Sequence, residues 1–115
     1  MTALPIDLDP TRIDVRTATS ADRCTIAVSG EIDSTTAPGL RTCLLEVLDR
    51  PSTVTVEVDL TGVTFLDSAG LSALATAHRA AQAAGRELVM RCGNARAVAR
   101  PLQITGLWDV FTVVD

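Results

Sequence analysis

An α/β fold is predicted for this chain: one domain with a mixed, mostly parallel sheet and helices packed mainly on one face. Three observations lead there. Strand-like and helix-like runs alternate from residue 24 onward, which implies parallel pairing through right-handed crossovers. Two earlier period-two runs are separated by a turn at Asp22-Arg23, which predicts an antiparallel pair at the start. The run at residues 54–60 places Val54, Val56, Val58 and Leu60 on one face and Thr55, Glu57 and Asp59 on the other. A strand covered by helices on both sides would be apolar throughout, so one face of the sheet is expected to be largely open to water. Thr55, Glu57 and Asp59 are expected to be more exposed than Val54, Val56 and Val58.

Residues 1–11 are rich in Pro, Asp and Thr, carry no usable period, and read as a loosely ordered leader. Arg12-Ile13-Asp14-Val15-Arg16 alternates as an edge strand. Cys24-Thr25-Ile26-Ala27-Val28-Ser29 alternates again, and Gly30 is expected to end it. From 37 to 49, Leu40, Leu44, Val47 and Leu48 share one helical face. Pro38 is tolerated in the first turn, where its missing N–H costs little. The strand at 54–60 follows, then a helix over 71–84 with Leu71, Leu74, Ala75 and His78 on one side and Gly85 as its C-terminal cap. A strand at 87–91, a helix at 94–105 and a last strand at 110–114 complete the chain. Pro101 falls inside that third helix, where it removes a hydrogen bond and crowds the Ala97 carbonyl at a cost of roughly 3 kcal/mol. A kink or irregular first turns are expected there.

A chain of 115 residues fits one domain with a real core. Its net charge of −4 argues against nucleic acid as the main partner, because phosphate backbones call for a basic surface. All ten basic residues are Arg. The lack of Lys counts against a phosphoaspartate receiver domain and against any lysine-dependent catalysis. No apolar run is long enough to span a bilayer, and the start lacks a basic flank and an apolar signal core. The expected location is the cytoplasm. Cys24, Cys43 and Cys92 are widely spaced, with no C-x-x-C pair, and read as small buried hydrophobes rather than metal ligands. His78, the only histidine, reads as half-buried packing. Trp108 is either packing or contact surface. No nucleophile–base constellation can be assembled, so no catalytic residue, metal or cofactor is expected.

The chemistry of interest gathers where strands end and helices begin, the place where α/β folds read ligands and partners. Phe65-Leu66-Asp67-Ser68-Ala69-Gly70-Leu71 links a strand to a helix and puts the Ser68 hydroxyl in the first exposed helical turn. Free N–H groups and the positive end of the helix dipole favour negative charge there. Asp67 or Ser68 would also serve as a helix cap. Gly30-Glu31-Ile32-Asp33, followed by Ser34-Thr35-Thr36-Ala37-Pro38, forms an earlier strand-to-helix junction. Parallel order brings the two junctions to one rim, with Asp33 near Ser68.

These two junctions, with the late Ile104-Thr105-Gly106-Leu107, resemble in order and spacing the STAS domain family, more closely its bacterial anti-sigma factor antagonists. The resemblance covers nearly the whole chain and implies a STAS domain at 12–115. It implies that unphosphorylated protein binds an anti-sigma factor that is itself a serine kinase, using ATP and Mg²⁺, and that a phosphate on Ser68 disrupts the complex. A separate phosphatase would act on phosphorylated Ser68. The implied partner surface is Asp33, Ser34, Thr35, Thr36, Asp67, Ser68, Ala69, Gly70 and Leu71, with no membrane or nucleic acid partner. The alternative is a stand-alone STAS regulatory module of a transporter or larger signalling assembly, without a phosphorylation cycle.

Overall fold

Ile13–Ser20 (β1) and Arg23–Ile32 (β2) pair antiparallel in the computed structural model, which describes residues 12–114. The expected leader at 1–11 lies outside the described residues. After β2 the chain alternates: Ala37–Leu48 (α1), Thr55–Leu66 (β3), Ser68–Ala84 (α2), Glu87–Arg91 (β4), Arg96–Thr105 (α3), Leu107–Val110 (α4) and Thr112–Val114 (β5). The five strands lie in sequence order, and β2 to β5 are parallel. Each crossover steps the same way along the sheet, and because such connections are right-handed as a rule, successive helices fall on the same face.

That face holds the core. Cys24, Ile26 and Val28 of β2, Val56, Val58 and Leu60 of β3, Leu88 and Met90 of β4, and Cys92 just after β4 are buried. They form one cluster with Leu40, Leu44, Val47 and Leu48 of α1, Ala73, Leu74, Ala77 and Ala81 of α2, and Val98 and Leu102 of α3. All three cysteines are buried free thiols, and burial pushes Cys43 and Cys92 up from the usual thiol range. The inward stripe of α2 is turned from the expected one. Leu71 and Ala75 are only half-buried, Ala73, Ala77 and Ala81 taking the inward positions, while His78 is half-buried as expected. His78 rests against the Phe111 ring, with centroids 5.3 Å apart.

The alternation of β3 holds with two exceptions. Val54 precedes the strand and is 50% exposed. Glu57, on the open face, is only 9% exposed. Its carboxylate accepts from Arg23 on β2 and from Arg91 Nε on β4, the latter at 3.0 Å. Both arginines sit two residues off its register partners, within diagonal reach across a sheet. Hydrogen bonds from Arg91 and then Arg23 hold the Glu57 carboxyl below its ordinary value, against the opposing effect of burial.

Three strands run longer than their periodicity indicates. β1 continues past Arg16 to Ser20, β2 continues past Gly30 to Ile32, and β3 continues past Leu60 to Leu66. The register slips between Ala27 and Ser29 and again between Gly30 and Glu31. These irregularities break the period-two pattern without ending the pairing. Two helix starts also move, and one helix appears where a strand was expected. α2 begins at Ser68 rather than Leu71. α3 begins at Arg96, after a turn closed by Ala95 N–H on Cys92 O at 3.0 Å, so Pro101 lies just past the first turn and the helix runs through it. The start of the expected last strand is the short helix α4, closed by Phe111 N–H on Leu107 O at 2.9 Å. The end of α2 is closed as expected: Arg86 N–H reaches Ala81 O at 2.8 Å and Gly85 N–H reaches Gln82 O at 3.2 Å, the Schellman pair.

Candidate partner-binding rim

The two junctions lie side by side. Ile32 and Leu66 are register partners at the ends of β2 and β3, both point into the core, and Asp67 N–H donates to Ile32 O at 3.2 Å. The chain therefore leaves the sheet at Asp33 and at Asp67-Ser68 on one rim.

On the first junction Asp33 organises its own loop. Its Oδ1 accepts from Thr35 N–H at 2.9 Å, Thr36 N–H at 3.2 Å and Thr35 Oγ1 at 2.7 Å. Thr36 is 2% exposed; its hydroxyl donates to Glu31 O at 2.9 Å and accepts from Asp33 N–H at 2.9 Å. Thr36 was expected on the surface and is not there: it shapes the loop from inside. Ser34 and Thr35 are exposed, and Asp33 is partly so.

A residue that periodicity assigned to an edge strand completes this loop. Arg12, just ahead of β1, directs its guanidinium to the Asp33 carboxylate and the Thr35 hydroxyl, and reaches Glu31 Oε1 at 3.3 Å. Its carbonyl accepts from Glu31 N–H at 2.8 Å. Gly30 makes this approach possible. Its φ is +98°, and a Cβ there would lie 2.1 Å from the Arg12 carbonyl oxygen.

On the second junction Asp67 is the cap. Its Oδ1 accepts from Ala69 N–H at 2.9 Å and Gly70 N–H at 3.2 Å, and its extended backbone opens α2. Ser68 takes the first helical position and is exposed. This revises the sequence-based electrostatics, because two of the first-turn amides expected to receive a phosphate already bond the Asp67 carboxylate. Gly70, also expected on the surface, is buried. A Cβ there would lie 2.3 Å from Leu66 Cδ1 and 2.7 Å from Ile32 Cγ2, so glycine lets the helix start seat directly on the strand ends. Ala69 and Leu71 are half-buried against the core. Ser34, Pro38, Arg41, Ala69 and Ser72 line an open groove between the starts of α1 and α2. Arg41 and Ser72 carried no motif that marked them beforehand.

The surface members of the rim are thus Ser34, Thr35 and Ser68, flanked by Asp33 and Asp67. Among the described residues, no three His, Cys, Asp or Glu side chains gather to hold a metal ion, and no helix is long and apolar enough to cross a membrane. The two junctions thus leave Ser34, Thr35 and Ser68 exposed on one rim. The profile of the family described as "Mlab, STAS domain" matches residues 15–114. The chain belongs to the STAS domain family. The STAS chain is 35% identical over 92 residues to the anti-sigma-B factor antagonist of Listeria monocytogenes, a match covering 80% of this chain and 79% of that protein. Its fold is similar to the crystal structure of an anti-sigma factor antagonist from Mycobacterium paratuberculosis, with TM-score 0.77 and 28% identity over 91% of this chain and 87% of that one. It also shares its fold with the Bacillus cell fate determinant SpoIIAA in the phosphorylated form, with TM-score 0.68 and 14% identity over 89% of this chain and 92% of that one.

Proposed function

We propose that this STAS domain is an anti-sigma factor antagonist: a cytoplasmic interaction switch that binds a kinase-type anti-sigma factor and is released when Ser68 is phosphorylated. The observation that carries the reading is the exposed Ser68 hydroxyl on the rim, with Asp67 capping the helix and leaving that hydroxyl out of the cap. The named likeness to the Listeria antagonist supports the partner class.

The phosphoryl chemistry belongs to the partner. The kinase transfers the γ-phosphoryl group of ATP to Ser68 Oγ, the hydroxyl proton leaves, and ADP is the other product. A phosphatase hydrolyses the ester, returning serine and inorganic phosphate. This chain supplies the acceptor and the docking surface. A phosphate adds roughly −1.5 to −2 charges at neutral pH. It would arrive beside the Asp67 carboxylate, while Arg12 is already engaged by Asp33 and Glu31. The added charge therefore acts on the surface offered to the partner, not on the core.

The test compares Ser68→Ala and Ser68→Glu by affinity for the cognate anti-sigma factor, by phosphate incorporation and by melting of each variant alone. Ser68→Ala is expected to keep binding and accept no phosphate. Ser68→Glu is expected to bind more weakly, with a melting temperature close to wild type. If both variants bind like wild type and neither alters phosphate incorporation, the switch reading fails.

A further inference from the structure

We propose that Phe65 is the apolar anchor by which the anti-sigma factor that reads Ser68 also grips the open-face side of the rim. The inference rests on the anti-sigma reading above and deepens it by naming a contact outside the two junction loops.

Phe65 is 47% exposed. The chain has only two phenylalanines and one tryptophan. Phe111 is buried and Trp108 packs against the core, so Phe65 is the aromatic residue offered to solvent. Its direction follows from register. Ile32 and Leu66 are partners and both point into the core. The preceding partners, Glu31 and Phe65, therefore point to the opposite side, because successive strand side chains alternate. The Phe65 ring thus stands beside Glu31, whose carboxylate Arg12 holds at 3.3 Å. Phe65 is not a member of the core cluster.

Reach makes the partner the natural occupant. Phe65 and Ser68 are three residues apart, so their Cα atoms lie within about 11 Å even for fully extended chain. A standard protein interface covers about 800 Å² on each partner, a disc of about 16 Å radius. A kinase placed over Ser68 with an interface of that size extends as far as Phe65. Exposed aromatic side chains are the type that dominate such interfaces when they enter a pocket. The partner chemistry implied is an apolar pocket bordered by polar groups that meet the Arg12–Glu31 pair.

The experiment uses the full chain and a purified anti-sigma factor kinase that binds the wild type. Phe65→Ala and Phe65→Leu are compared with Val54→Ala, which truncates a similarly exposed side chain at the other end of β3, and with Ser68→Glu. Affinity is expected to fall at least tenfold for Phe65→Ala, less for Phe65→Leu, and not for Val54→Ala, with all three variants melting near wild type. If Phe65→Ala binds like wild type while Ser68→Glu is weakened, the anchor is refuted and the switch reading stands. If neither Ser68→Glu nor Phe65→Ala changes binding, both fall. If Phe65→Ala instead changes only the oligomeric state, the ring seats a second copy of this chain and the proposal is overturned.

Discussion

Gly30→Ala would place a methyl group 2.1 Å from the Arg12 carbonyl oxygen and 3.0 Å from its carbonyl carbon. The colliding atoms are backbone, so no rotamer change relieves the contact. The substituted residue would also keep a φ of +98°, where a non-glycine residue costs about 1–3 kcal/mol. If the start of β1 moves away instead, the Glu31 N–H to Arg12 O bond is lost, worth about 1 kcal/mol. Together these predict a loss of about 2–4 kcal/mol, or roughly 10–20 °C in melting temperature for a domain of this size. The assay is urea denaturation, in which a fall in midpoint at constant slope reports stability alone. Arg12→Ala is the companion variant. It keeps the backbone contact and removes a guanidinium that is 33% exposed, so it should cost less than about 1 kcal/mol. Gly30→Ala should weaken partner binding as well, because Arg12 no longer reaches Asp33. A Gly30→Ala unfolding free energy within about 0.5 kcal/mol of wild type would refute the idea that this backbone approach is rigid.

Asp67→Ala removes the acceptor for two first-turn amides of α2 and should cost ~1 kcal/mol, read from thermal melting. Ser68→Ala, which touches no cap bond, should leave the same melt near wild type; equal losses would reassign the cap. Glu57 gives a pH signature. Its folded carboxyl titrates below its ordinary value of 4.5, so its stabilising contribution is complete above that value and is lost as pH falls through the lower folded one. Urea midpoints from pH 7 to 3 should show wild type losing stability faster than Glu57→Gln in that acid window. A difference between the two that does not vary with pH would mean that Arg23 and Arg91 do not hold the charge.

The sequence by itself determined the order of elements apart from α4, the one-sided core and the meeting of the Asp33 and Ser68 junctions. These follow from local periodicity, from the turn chemistry that punctuates it, and from the right-handed crossover rule. Leu40, Leu44, Val47 and Leu48 are buried as their spacing requires. What the tertiary structure alone decided depends on residues distant in the chain. Glu57 is buried because Arg23 and Arg91, each 34 positions away, close on it, and a strand's own alternation carries no trace of those partners. Arg12 holds Asp33 from 21 positions away and reads locally as one more alternating charge. The added lengths of β2 and β3 come from bulged pairing between the strands, which interrupts the very period used to recognise them. Asp67 and Ser68 are both good caps by residue type. The backbone entering α2, held by the Asp67 amide on Ile32, points the Asp67 carboxylate at the first turn and leaves the Ser68 hydroxyl for the rim.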